Sequence, residues 1–249
     1  MKAILTSFLI TAALVFTFTT FTISQTKEDK SSEAESSLQE ELDSMNKKFM
    51  EKADKDKIEV YEKGIQEVRE SGILENALNV GDKAIGFELQ NPTGEKVTLE
   101  EYLKEGPVIL TWYRGGWCPY CNMTLHKLQE YLPQYKELGA NLIALTPETP
   151  DKSLTTQEKH ALQFEVLTDT DNGVAKQYGI VFKLNPEVSQ YYKERFSLEE
   201  YNDTDSDELP LAAAYIIGQD GIIKYAFLDA DYKKRAEPSV LLEELKKLD

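Results

Sequence analysis

The chain has 249 residues, 41% of them hydrophobic and 29% charged, the composition of an ordinary folded protein with one well-buried domain and room for an extension. A formal net charge of -16 excludes the clustered Lys and Arg that grip nucleic-acid phosphates regardless of sequence, and it opposes electrostatic adhesion to anionic lipid headgroups. Nucleic acid and peripheral membrane binding are therefore set aside, and the acidity is assigned to solubility.

At the start, Met1-Lys2 precedes an uncharged, mostly apolar run from Ala3 to Ile23, followed by the polar Ser24-Gln-Thr-Lys27. A basic start, an apolar stretch and small residues at Thr22 and Ser24 make residues 1–24 an expected signal peptide cleaved after Ser24. The run is also long enough for an uncleaved membrane anchor, although Thr17, Thr19, Thr20 and Thr22 lower its hydrophobicity and favour cleavage. Export to the periplasm or cell envelope is the expectation. Residues 25–37 are acidic, Ser-rich and too poor in apolar side chains to order themselves, so a flexible linker is expected there.

A helical extension is expected over 38–77. Leu38, Leu42, Met45 and Phe49 recur at helical spacing, and after Asp54-Lys-Asp-Lys57 so do Ile58, Tyr61, Ile65 and Val68. Two amphipathic helices, or one kinked helix, follow, ended by a left-handed cap at Gly72. Their apolar stripe is expected to dock on the main domain, with a homodimer arm as the alternative.

From residue 78 to 249, short apolar runs alternate with helical patterns, which defines an α/β domain. Strands are expected at Ala84 to Leu89, Val108 to Tyr113, Asn141 to Thr146, Phe164 to Leu167, Ala213 to Gly218 and Ile222 to Leu228. Helices are expected at Pro119 to Glu137, Leu154 to Leu162, Gly173 to Tyr178 and Pro238 to Leu248. The turn Gly218-Gln-Asp-Gly221 joins the last two strands as a hairpin, so the central sheet should be mixed, with helices flanking it. Residues 197–208 read as an acidic loop.

The chain has only two cysteines, Cys118 and Cys121. They follow Arg114-Gly115-Gly116 at the end of an apolar strand, where a helix begins. A thiolate at a helix N-terminus is stabilised by free backbone N–H groups and the positive end of the helix dipole, and Pro119 fixes φ for the first turn. This geometry favours Cys118, the earlier and expectedly more exposed sulfur, as the reactive one. A structural disulfide closing so small a loop would constrain little. A zinc site lacks ligands, because beyond Cys118, Cys121 and His126 only His160 remains. A reversible dithiol/disulfide couple between Cys118 and Cys121 is the remaining chemistry.

Trp117-Cys-Pro-Tyr-Cys121 resembles the active-site motif of thioredoxins and glutaredoxins. The wider set, Val80-Gly-Asp-Lys, Phe87-Glu-Leu, Tyr113-Arg-Gly-Gly-Trp-Cys-Pro-Tyr-Cys121, Leu162-Gln-Phe-Glu-Val-Leu-Thr-Asp169 and Asp220-Gly-Ile-Ile223, resembles the peroxiredoxin-like branch of the alkyl hydroperoxide reductase/thiol-specific antioxidant superfamily. The resemblance implies a thioredoxin-like fold and a thiol peroxidase that reduces hydrogen peroxide or organic hydroperoxides. It implies reset by a thioredoxin-like reductant, with no cofactor. The two templates differ on the attacking sulfur: the peroxiredoxin pattern puts Cys121 there, the thioredoxin pattern Cys118. Ala212 stands where thioredoxins carry a cis-Pro and peroxiredoxins an activating Arg. Arg114 is the local candidate for stabilising charge on the leaving oxygen, and Arg235, in Asp229-Ala-Asp-Tyr-Lys-Lys-Arg235, is a second. Gly115 and Gly116 would let substrate approach, Pro119 would line the pocket, and Trp117 would shield the sulfur. The alternatives are a periplasmic thiol-disulfide oxidoreductase acting on protein cysteines, favoured by Pro-Tyr between the cysteines, and a redox-sensing module with ordinary thiols.

Overall fold

The computed structural model describes residues 36–248. The expected signal peptide at 1–24 and the linker as far as residue 35 lie outside the described residues. Ser37 caps the first helix, α1 (Leu38–Met50), through a capping box with Glu40. Helix α2 (Lys55–Glu70) is separate from α1 rather than a kinked continuation of it, and Gly72 at φ +78° divides it from a short third helix, α3 (Ile73–Asn76).

The domain then runs through β1 (Glu88–Gln90), β2 (Lys96–Thr98), α4 (Leu99–Glu105), β3 (Val108–Trp112), α5 (Pro119–Glu137), β4 (Asn141–Thr146), α6 (Pro150–Lys159), β5 (Glu165–Thr168) and α7 (Gly173–Gln177). It closes with β6 (Val181–Lys183), α8 (Pro186–Phe196), α9 (Leu198–Asn202), β7 (Glu208–Pro210), β8 (Ala214–Ile217), β9 (Ile223–Phe227) and α10 (Pro238–Leu245). A seven-stranded sheet has the order β2-β1-β5-β4-β3-β8-β9, and β6 pairs with β7 in a small second sheet. The strands β3, β4 and β5 are parallel, while β1, β8 and β9 add antiparallel pairs. The expected mixed sheet is therefore present.

Alternation along buried strands divides the core into two layers. Ile109, Leu142, Ala144 and Ile216 face one way and pack with α1, α5 and α10. Val108, Leu110, Trp112, Ile143, Leu145, Tyr215 and Ile217 face the other, with Leu99 of α4 and Val174 of α7. The helices of the extension share this core: Leu38 and Leu42 are buried against the α5 layer, and Glu237 at the start of α10 accepts from the Leu38 and Gln39 N–H groups at 2.7 and 3.2 Å. Since Leu42 is completely buried, Leu42→Ala should cost about 2–5 kcal/mol of unfolding free energy, the range for emptying a core leucine. A shift of the urea midpoint at unchanged slope checks this.

Three expectations need correction. Residues 84–87 are not in a strand, because Lys83 bridges Ile222 at one side of the sheet whereas Gln90 pairs with Thr168 at the other; the chain between them crosses rather than joins a ladder. Helix α6 begins at Pro150, four residues before the expected start, since proline suits the first turn of a helix. The segment read as an acidic loop contains α9 and the start of β7, and α8 precedes it, capped by the Asn185 side chain, which accepts from Val188 N–H at 2.8 Å.

Candidate active site

Central strand β3 delivers residues 114–118 to the end of the sheet where the parallel strands finish. The turn is closed by Cys118 N–H donating to Gly115 O at 3.0 Å. Gly115 lies at φ +148°, and a Cβ there would stand 2.2 Å from Trp117 Nε1; one on Gly116 would stand 2.1 Å from Thr156 Oγ1. Both glycines are thus required by close packing. Cys118 is the N-cap of α5 and Pro119 its first residue, with Cys121 in the first turn.

Both cysteines are unbridged in this structure and both are 0% exposed, which corrects the expectation that Cys118 would be the open one. The cover comes from elements that the linear pattern did not bring to the site. Tyr192 of α8 packs tilted against Trp117 with ring centroids 5.1 Å apart, Phe196 lies 5.2 Å from Trp117, and Tyr61 of α2 lies 6.0 Å from Tyr192.

Arg114, 2% exposed, sits inside this cover. It donates through Nη2 to Cys118 Sγ at 3.2 Å and through Nη1 to the Tyr192 hydroxyl at 3.1 Å. Its guanidinium carbon stands 4.2, 5.1 and 5.6 Å from the ring centroids of Tyr232, Trp117 and Tyr192. A desolvated guanidinium gains from aromatic faces, and these rings hold it on the sulfur. Arg235 is also buried. It donates to the Tyr232 and Lys234 carbonyls and directs Nη2 to Cys121 Sγ at 3.6 Å. Each sulfur therefore has its own guanidinium. Lys233 anchors this loop to α2 by an ion pair with Glu62 at 2.6 Å.

These surroundings separate the two thiols. Burial alone would push Cys118 up, but a hydrogen bond from Cys121 and the positive charges of Arg114 and Arg235 hold it well below the usual thiol range. An attraction between unit charges 3.2 Å apart is worth about 5 kcal/mol at an effective dielectric constant near 20, enough to offset the several kcal/mol of burying an ion. Burial pushes Cys121 well up, and the hydrogen bond it gives to Cys118 and the charge of that neighbour add to the effect. The surroundings thus favour the ionised form at Cys118 and the protonated form at Cys121.

Glu148 was not singled out from the sequence. It lies just past β4 and is fully buried. It accepts from Gly116 N–H at 2.7 Å, fixing the loop before the cysteines. Its position in Thr146-Pro-Glu-Thr-Pro150 was the available signal, because residues just beyond the carboxyl ends of parallel strands gather at one edge. Burial raises its pKa despite the Gly116 hydrogen bond. The folded protein therefore holds this proton more tightly than the unfolded chain, and stability falls as pH rises from the ordinary carboxylate range through the raised value. Glu148→Gln, which keeps an acceptor for Gly116, should raise the Tm relative to wild type by an amount that grows across that window. Thermal melts between pH 4 and pH 8, read as the difference between the two proteins, check this.

His126 is exposed and pairs with Glu130 at 3.2 Å. His160 caps the end of α6. Among the described residues no group of three or more His, Cys, Asp and Glu converges as a metal site.

Residues 80–226, more than half of the chain, match the AhpC/TSA family. Thiol-disulfide oxidoreductase ResA of Bacillus thuringiensis subsp. konkukian (strain 97-27) is 29% identical over 108 residues, covering 43% of this chain and 61% of that protein. Peroxiredoxin Bcp of Escherichia coli (strain K12) is 29% identical over 105 residues, covering 42% of this chain and 67% of that protein. The chain thus spans less than two thirds of the ResA protein it matches. Among solved structures, peroxidoxin BcpB from Mycobacterium tuberculosis aligns with a TM-score of 0.55 at 19% identity, over 69% of this chain and 99% of that one. The reduced 2-Cys peroxiredoxin of Plasmodium vivax aligns at 0.53 and 16% identity, over 68% and 81%. The fold is thioredoxin-like, as the resemblance implied. The family match contains Arg114, both cysteines, Glu148 and Tyr192, whereas α1, α2, Tyr232 and Arg235 lie outside it.

Proposed function

We propose that this chain, which belongs to the AhpC/TSA family, is a thiol peroxidase in which Cys118 attacks a hydroperoxide and Cys121 resolves the product. The observation that carries the proposal is the Arg114 guanidinium on Cys118 Sγ at 3.2 Å within a site where neither sulfur is exposed. A thiolate held by a fixed cation is the nucleophile such a reaction needs, and the same cation faces the oxygen on which charge develops.

In the first step the Cys118 thiolate forms an S–O bond to the terminal oxygen of the peroxide as the O–O bond breaks. The electron pair leaves with the second oxygen, which takes up the proton given up when Cys118 ionised and departs as alcohol or water. Cys118 is oxidised by two electrons to a sulfenic acid. The Cys121 thiol then attacks that sulfur, water is released, and a Cys118–Cys121 disulfide forms. A thioredoxin-like dithiol resets it by exchange. Because both sulfurs are enclosed, that exchange requires the aromatic cover over Arg114 to part. Export directed by residues 1–24 belongs to the same proposal.

The alternative is exchange with protein disulfides. Cys-Pro-Tyr-Cys and the similarity to ResA favour it; the enclosure of Cys118, which must open far less for a small peroxide than for a polypeptide, opposes it. Reduced protein given equal concentrations of a hydroperoxide and a disulfide-bonded protein should form its own disulfide at the expense of the peroxide, leaving the other protein oxidised on the same timescale. Preferential reduction of the protein disulfide would reverse the assignment.

A further inference from the structure

A cavity of about 130 Å³ opens on Arg114. Arg114, which holds Cys118, and Trp117 are in its lining. The extension supplies part of the lining, with Met45 and Phe49 one turn apart on α1 and Tyr61 on α2, and Phe196 of α8 also lines it. Apart from Arg114 the lining offers only rings, aliphatic carbon, a thioether and tyrosine hydroxyls. The helix is held in place by a hydrogen bond from the Tyr120 hydroxyl, in the first turn of α5, to Asn46 Oδ1 at 3.2 Å. Met45, Phe49 and Tyr61 all precede the segment that matches the family.

We infer that the helical extension forms the specificity wall of this site, selecting hydroperoxides that carry a compact apolar group, and that Phe49 and Met45 are its principal determinants. The inference rests on the peroxidase reading above. Size and polarity both support it: an apolar cavity of about 150 Å³ takes up benzene, so this one fits a phenyl or tert-butyl group. Hydrogen peroxide would leave the space unfilled. An apolar group seated against Met45 and Phe49 would leave its peroxide oxygens at Arg114, the only cation in the lining, beside the buried sulfur that Arg114 contacts, which they reach once the side chains over it shift.

The test compares rates of Cys118 oxidation by cumene hydroperoxide and by hydrogen peroxide in the reduced full chain and in Phe49→Ala and Met45→Phe. The first variant removes the wall and the second fills the cavity, so one reports even if the other folds poorly; circular dichroism identifies a variant that does. Wild type should favour cumene hydroperoxide by about ten-fold or more, the scale of filling an apolar pocket. Each variant should lower the ratio of the two rates by about ten-fold. A wild type that oxidises at equal rates with both peroxides, or ratios unchanged in the folded variants, would overturn the inference while leaving the peroxidase intact. A wild-type protein inert to both peroxides would overturn both.

Discussion

Cys118→Ser should abolish peroxide consumption, a loss of roughly four orders of magnitude or more, as when a covalent nucleophile is removed. Cys121→Ser should behave differently. It should consume one equivalent of peroxide, accumulate a sulfenic acid on Cys118 and then stop, because the resolving thiol is gone. The asymmetry follows from the surroundings of each sulfur. Cys118 receives Arg114 at 3.2 Å and a hydrogen bond from Cys121, and is held well below the usual thiol range. Burial raises Cys121, and its guanidinium, Arg235, is at 3.6 Å. Peroxide titration of each variant with mass spectrometry checks the prediction. A sulfenic acid on Cys121 in Cys118→Ser, formed as fast as in wild type, would reassign the nucleophile.

The second large effect concerns Arg114. Arg114→Gln keeps a hydrogen-bond donor but removes the charge, and the rate of peroxide attack should fall by about 10²-fold, the cost of losing one such electrostatic partner. The Cys118 thiolate should become harder to form, because burial then acts with less to oppose it. Titration of thiolate absorbance near 240 nm should show wild type ionised below the ordinary thiol range, with the transition shifted upward in the variant. A stability signature accompanies this. A lowered folded pKa contributes stability that is present above the unfolded value and lost as pH falls through the folded one. Reduced wild type should therefore gain stability over Cys118→Ser as pH rises toward the ordinary thiol range. Arg114→Lys, which keeps the charge without the planar fork that spans Cys118 and Tyr192, should recover part of the rate. Equal titrations in wild type and Arg114→Gln would remove Arg114 from the chemistry.

What the sequence made legible was local. Helix α5 and strand β4 have the expected bounds, because proline at the first helical turn, a continuous apolar stripe and a short apolar run are signals carried by neighbouring residues. The docking of Leu38 and Leu42 was readable from their spacing for the same reason. The site was only partly legible. Cys118, Cys121, Arg114 and Trp117 are close in sequence and meet, but what encloses them comes from elsewhere: Tyr61 from the extension, Tyr192 from α8, and Tyr232 and Arg235 from the loop before α10. Nothing in their local pattern says which surface they pack on. Cys118 was expected at an open helix terminus, and it lies under side chains whose only sequence signal was being aromatic. Arg235 was reached through family resemblance alone; its partner, the Cys121 sulfur, lies 114 residues away. The missing cation at Ala212 is intelligible in the same light, since two guanidiniums from other positions already meet the sulfurs.

The most direct test is the rate at which the reduced protein reacts with hydroperoxide, followed by stopped-flow tryptophan fluorescence, to which Trp117 contributes with its ring 5.1 Å from the Arg114 guanidinium carbon. If a fixed cation on a buried thiolate drives the chemistry, the second-order rate constant should exceed that of a free thiol at the same pH by about 10²-fold or more. A Cys118–Cys121 disulfide should form with one equivalent of peroxide consumed. A rate equal to that of a free thiol would contradict it.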